Sequence, residues 1–242
     1  MMMFKYISLL CFFLFSQMAF AIQVSDLFVV ANSKDKAVVT VTNTERERVF
    51  LNSSVSEIIV TNNGKTEEIK YTKDNIEAWK LNVYPARSIL EPGFKKDVTM
   101  KFSCITRQCN RNQDHVFKVG LVPVPYYEGE PDSSLVQFSI GFAPIIVVPA
   151  NPSKIDLEYS YTQQGKLTLI NRGKTFLYVD VFPEGCAGGD TKCVKHLKIL
   201  SGRKYETMFP ELASQVLSIK SRTYRGVFKK EGSIQPGAKG RL

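Results

Sequence analysis

Few side chains in this sequence have the type and spacing for covalent chemistry. There are two histidines, His115 and His196, and five cysteines. Neither histidine lies in an H-E-x-x-H helix signature, and no serine sits in a G-x-S-x-G elbow. No glycine-rich phosphate loop or dinucleotide fingerprint is present. The acids are scattered through the chain. This pattern argues against an enzyme, and no cofactor is expected. The four cysteines beyond the N-terminal region are Cys104, Cys109, Cys186 and Cys193. An even number in an exported chain points to disulfides, although four cysteines allow three connectivities. The spacing favours two local bridges, Cys104–Cys109 and Cys186–Cys193. Each would close a short loop and stabilise by about 2–3 kcal/mol. Zinc is the alternative, because His115 follows the first pair and His196 the second. Neither group offers four ligands at finger spacing.

The first 21 residues, MMMFKYISLLCFFLFSQMAFA, supply the export argument. Lys5 precedes an apolar run, and Ala19-Phe20-Ala21 forms an A-x-A cleavage pattern. The run is too short to span a membrane comfortably, and cleavage is expected before Ile22. Cys11 is a poor lipoprotein cysteine, because most of the apolar run follows it. The net charge of +9 becomes +8 once Lys5 leaves with this segment. The basic residues are interspersed with acids and form no run of five or six like charges. Nucleic acid is therefore not an expected partner.

The elements that must position any site are strands. KAVVTVTN (36–43) and VFLNSSVSEIIV (49–60) are β-rich and end in turn signals. Pro92-Gly93 fits the centre of a type II turn, so 87–102 is expected to be a hairpin. In HVFKVGLV (115–122), Phe117, Val119 and Leu121 share one face and Lys118 points the other way. VVPANPSK (147–154) carries two prolines and is expected to be a stiff hinge. Beyond it, Ile155, Leu157, Tyr159 and Tyr161 share a face. GKLTLINRGKTFLYVDVF is expected to be two strands joined through Asn171–Lys174. KHLKILSGRKYETMF is expected to be a hairpin turning at Gly202, and VLSIK and YRGVF to be short strands. The expected architecture is all-β, with two immunoglobulin-like β-sandwiches over 22–148 and 149–242.

One stretch stands apart. In LVQFSIGFAPIIVVPANP (135–152), Val136, Phe138, Ile140 and Phe142 alternate with Gln137, Ser139 and Gly141. That is the period of a strand with one large apolar face. Alternation alone is equally compatible with packing on the protein's own core and with packing on another chain.

The order VYPARSILEPGFKKDVTMKF, HVFKVGLVPVP, VQFSIGFAPIIVVPANP, then GKLTLINRGKTFLYVDVF and the Cys186–Cys193 loop, resembles the PapD-like periplasmic pilus chaperones of the chaperone–usher pathway. The resemblance extends to the alternate and archaic branches. It implies two immunoglobulin-like domains in a boomerang and a periplasmic location. It also implies a chaperone that lends its strand to a pilin subunit and passes the subunit to an outer-membrane usher. Strand donation is a form of β-augmentation. In that reading Val136, Phe138, Ile140 and Phe142 fill the pilin groove. The better-known branch anchors the pilin carboxylate with basic residues in the first and last strands of domain one. IQVSDLFVVAN and 135–150 contain none. The resemblance offers Lys118 and Arg87 instead. So apolar an edge also predicts that the free protein caps itself as a homodimer. The alternative reading is a secreted two-domain immunoglobulin-like adhesin or structural module.

Overall fold

Alternating burial fixes the face of strand after strand. In Lys36–Thr42, Ala37, Val39 and Val41 are buried while Lys36 and Val38 are exposed. The same period of two recurs in Lys166–Asn171, where Leu167 and Leu169 are inaccessible. The computed structural model describes residues 22–61, 64–103, 110–126, 139–151, 154–186, 193–209 and 213–242. Val136, Phe138, Cys104, Cys109 and residues 1–21 lie outside the described residues.

The first sandwich contains β1 (Gln23–Val24), β2 (Phe28–Val30), β3 (Lys36–Thr42), β4 (Val49–Val60), β5 (Thr66–Lys70), β6 (Leu81–Tyr84), β7 (Arg87–Leu90), β8 (Lys95–Phe102), β9 (His115–Pro125) and β10 (Ile145–Val148). One sheet runs β1-β3-β8-β6. The other runs β2-β10-β9-β4-β5, with β7 also pairing with β4. Val39, Val98, Phe117, Val119, Leu121 and Ile146 fill the space between them with no accessible surface.

The second sandwich contains β11 (Leu157–Tyr161), β12 (Lys166–Asn171), β13 (Leu177–Pro183), β14 (Lys195–Ile199), β15 (Lys204–Met208), β16 (Leu217–Arg222), β17 (Lys229–Ile234) and β18 (Lys239–Arg241). Its sheets run β15-β12-β11-β18 and β14-β13-β16-β17. Ile155, Leu157 and Tyr161 are buried and Tyr159 packs on the same core.

The expected turns are present, but the two expected hairpins join different partners from those the pattern suggested. Gly93 adopts φ +75° and Phe94 N donates to Glu91 O at 3.1 Å. Yet β7 pairs with β4 and β8 with β3 and β6, so 87–102 is an arch between sheets and not a hairpin. The connections β12–β13 and β14–β15 are also arches. A buried asparagine accounts for the β12–β13 crossing. Asn171 Nδ2 donates to Thr175 O (2.9 Å) and to Ile199 O (3.0 Å), tying the corner to β14. Asn43 performs the same task between β3 and β4, donating to Glu47 O (2.9 Å) and Leu90 O (3.0 Å). Both satisfy buried carbonyls that would otherwise be costly. Tyr224–Gly226, expected within a strand, is a short 3-10 turn, and the strand begins at Lys229.

The two sandwiches meet at a third apolar cluster built on Val116, Val147 and Phe176, with Phe28, Tyr178 and Tyr224 packed around it. Asp114 joins them by hydrogen bonds. Its Oδ1 accepts from Ala150 N at 2.7 Å and its Oδ2 from Phe176 N at 2.6 Å. Its own N–H donates to Lys174 O at 3.0 Å. Burial pushes the Asp114 carboxyl up, against the opposing pull of those N–H donors.

Candidate functional site

The candidate site is the run from Ser139 to Val148. Its second half is held on both flanks. β10 pairs antiparallel with β9, Ile145 opposite Lys118 and Val148 opposite His115. It pairs parallel with β2, Ile145 beside Phe28 and Val147 beside Val30. Among the described residues, the first half has only one flank covered. Leu121 and Phe142 exchange backbone bonds of 2.7 and 2.9 Å, Val119 N donates to Pro144 O at 3.0 Å, and Ser139 Oγ donates to Pro123 O at 2.7 Å. β2 starts opposite Ile145, so among the described residues no strand flanks 139–143 on the outer side. Gly141 permits the close approach to β9. A Cβ there would lie 3.0 Å from Leu121 O and 3.1 Å from Val122 Cγ2.

The even-numbered side chains of this run form a graded row. Val148 and Ile146 are inaccessible, Pro144 is buried, Phe142 is half-buried on the core, and Ile140 is 54% exposed. The row starts inside the sandwich and runs out of it. Phe142 therefore belongs in part to the protein's own core, while most of Ile140 faces solvent. Val136 and Phe138 lie outside the described residues.

The two expected anchor cations are not brought together. Lys118 projects from the outer face between Ser56 and Ile145 and is ion-paired with Glu68 of β5. The hydrogen bond from Lys118 holds the Glu68 carboxyl below its ordinary range. Arg87 lies on β7, two strands across from β9 and opposite Asn52, four residues along β4 from the partner of Lys118. Strand spacing and rise put the two Cα atoms on the order of 15 Å apart. Other cations stand on the β2 side of β10, and the sequence pattern did not single them out. Lys198 Nζ lies 4.6 Å from the centroid of the Phe28 ring. With Arg203, Lys204 and Ile145 it lines a cleft of about 270 Å³ between the sandwiches.

A second polar cluster missed by sequence reasoning lies beneath the start of β9. Lys80 Nζ donates to Glu57 Oε1 at 2.8 Å and Oε2 at 2.9 Å, and His115 Nδ1 lies 3.6 Å from Glu57 Oε1. Burial alone would raise the Glu57 carboxyl, but its contacts with His115 and Lys80 outweigh that and hold the group below the usual carboxylate range. A carboxylate whose folded pKa is depressed adds stability above its unfolded pKa, and that stability is lost as pH falls through the folded value. Urea titrations of the wild type are therefore expected to show falling stability below about pH 4.5, with a shallower fall in Glu57→Gln. Equal slopes for the two proteins would contradict this. The only signal in the sequence was an acid at an inward-facing strand position, since Glu57 shares the parity of Val49, Leu51 and Val55.

Cys186 and Cys193 are bonded to each other, with Cα atoms 6.3 Å apart. His196 Nδ1 instead meets Asp180 Oδ1 at 2.7 Å across β13 and β14. Among the described residues no three metal-ligating side chains converge.

Comparison with known proteins accords with this geometry. Residues 24–149, just over half of the chain, match the CS5 fimbrial protein N-terminal domain model. The chain belongs to this family. An Escherichia coli 25.9 kDa protein of the CS5 3' region is 23% identical over 159 residues, which are 63% of this chain and 66% of that relative. The crystal structure of the class 5 fimbriae chaperone CfaA is 17% identical. It superposes with a TM-score of 0.54 over 90% of this chain and 99% of its own. A chain of the Salmonella enterica SafA pilin complex with the SafB chaperone is 14% identical, with a TM-score of 0.56 over 91% and 98%. A chain of the Acinetobacter baumannii CsuC–CsuE chaperone–tip adhesion subunit complex is 13% identical, with a TM-score of 0.53 over 90% and 100%. This fimbrial family member thus has the fold of the PapD-like chaperones, two immunoglobulin-like sandwiches in sequence.

Proposed function

We propose that the protein is a periplasmic chaperone of pilus assembly. It is exported by residues 1–21 and holds a pilin subunit on its first domain, residues 22–148. It then releases the subunit to an outer-membrane usher. The observation that carries the reading is the graded apolar row from Val148 to Ile140. A row that leaves its own core beside an open strand flank is suited to complete the core of another sandwich. The family match and the fold of CfaA support the same reading. The second domain, residues 149–242, supplies the other wall of the cleft. No covalent step is involved, so neither cofactor nor nucleotide enters the cycle.

Burying four apolar side chains of the size of Val136, Phe138, Ile140 and Phe142 contributes roughly 6–12 kcal/mol gross. Association entropy offsets much of that. A pilin C-terminal carboxylate would meet Lys118 once it exchanges Glu68 for the new anion, with Lys198 on the opposite wall. Lys118→Met is expected to weaken pilin capture about tenfold, and Glu68→Gln to leave it unchanged or strengthen it. Unchanged capture by Lys118→Met would remove Lys118 from the site.

The deciding experiment purifies the tagged protein from its native periplasm and identifies by mass spectrometry what co-elutes in size exclusion. A near-stoichiometric β-rich subunit lacking a final strand is expected. A lone monomer or homodimer from cells that are making pili would overturn the chaperone reading. It would favour a two-domain adhesin or structural module.

A further inference from the structure

A groove on the opposite flank of the first sandwich plays no part in the edge described above. It opens where the chain passes from one sheet to the other between Tyr84 and Arg87. β6 covers β8 only from Thr99 to Phe102, and β8 starts four residues earlier. Over Lys95–Val98, β8 pairs with β3 alone among the described residues. A short length of strand edge therefore faces the groove with no strand beside it among the described residues.

The groove encloses about 840 Å³ and is lined by Tyr84, Arg87, Ser88, Ile89, Lys95 and Lys96, with Thr40 and Asp97 at one side. Its charge is one-sided. Arg87, Lys95 and Lys96 have no ion pair among the described residues. The one carboxylate in the lining, Asp97, accepts the Thr40 hydroxyl at 2.7 Å. The Ser88 hydroxyl in its wall is buried without a partner. Apolar surface alternates with the cations. Tyr84 is 78% exposed, Ile89 is 41% exposed, and Phe94, just before Lys95, is 67% exposed.

We propose that this edge takes an extended acidic segment of a partner protein by strand addition. Backbone bonds to Lys95–Val98 would supply affinity, and Arg87, Lys95 and Lys96, which stand on different sides of the groove, would attract the acidic side chains of the segment. Apolar residues between the acids would cover Tyr84 and Ile89. A second copy of this chain is a poor occupant, because two such edges would oppose three unpaired cations with three more. A bare anion would engage the cations and leave the strand edge unused. This surface is separate from the Ser139–Val148 edge and does not depend on its function.

The test uses the full mature chain and a fluorescein-labelled ten-residue peptide alternating Asp and Val, with a Lys-for-Asp peptide as control. Anisotropy is expected to show salt-sensitive binding of the acidic peptide alone. Arg87→Glu combined with Lys95→Glu and Lys96→Glu is expected to weaken it at least ~10-fold. All three side chains are exposed, so the variant should keep its unfolding midpoint. Ile140→Asp should bind the peptide normally. Amide exchange at Lys95–Val98 should slow when the peptide binds. Equal binding by the triple variant, or unchanged exchange at those amides, would overturn the proposal. So would equal displacement by inorganic phosphate, which would indicate a simple anion site. Phosphatidylglycerol vesicles that bind where the peptide does not would also overturn it, in favour of a membrane-facing role.

Discussion

Ile140→Asp is expected to abolish pilin capture while leaving the isolated protein folded. Ile140 is more than half exposed at the end of the row, so its own fold gains little from it. The cost to folding should stay within about 0.5 kcal/mol. In a complex, the new carboxylate would have to enter an apolar groove without a partner. That penalty is several kcal/mol, enough to lower affinity by about two orders of magnitude or more. Phe142→Ala should behave differently. Phe142 packs on the first core, so the variant is expected to lose about 1–2 kcal/mol of stability as well as affinity. Chemical denaturation and co-purification of each variant separate the two effects. Unfolding of Ile140→Asp, or full capture by it, would place the row inside this protein's own core.

Asp114→Ala is expected to loosen the joint between the sandwiches. The carboxylate is the shared acceptor for Ala150 N within the hinge segment and Phe176 N in the second domain. Removing it strands two N–H groups at a buried junction, at about 1–3 kcal/mol each. Asp114→Asn retains the shape but presents an N–H to one of those donors, so it is expected to cost roughly half as much. Small-angle scattering should report a broader distribution of interdomain distances for Asp114→Ala, with each sandwich still folded by circular dichroism. An unchanged scattering profile would mean that the Val116–Val147–Phe176 cluster alone sets the arrangement. The acid-side behaviour of Asp114 is opposite in sign to that of Glu57. Its folded pKa is raised, so protonation favours the folded form, and its contribution falls as pH rises through that folded value.

The faces of the strands were legible in the sequence, because alternation is a local property with a period of two. Phe117 and Leu121, and Leu157 and Tyr161, were grouped on one face by pattern and are buried. Gly93 and Gly202 marked turns by their tolerance of positive φ, and both adopt it. The short loop between Cys186 and Cys193 made their pairing local, and they are bonded.

Which strands pair was a different matter. A turn between two alternating segments looks the same whether it closes a hairpin or arches from sheet to sheet. At Gly93, Asn171 and Gly202 the arch prevails, because each segment buries its apolar face opposite its neighbour rather than beside it. The surroundings of the two anchor candidates were hidden for a related reason. Parity showed that Lys118 faces outward, but only the register of β4, β5 and β9 sets Glu68 within its reach and leaves Arg87 on another flank. Asp114, Lys198 and the open edge at Lys95–Val98 carry no local signature, since each gains its meaning from residues distant in the chain. Local periodicity thus determined what each strand could bury. The tertiary structure decided what lies next to it, because burial of a shared core is a long-range constraint.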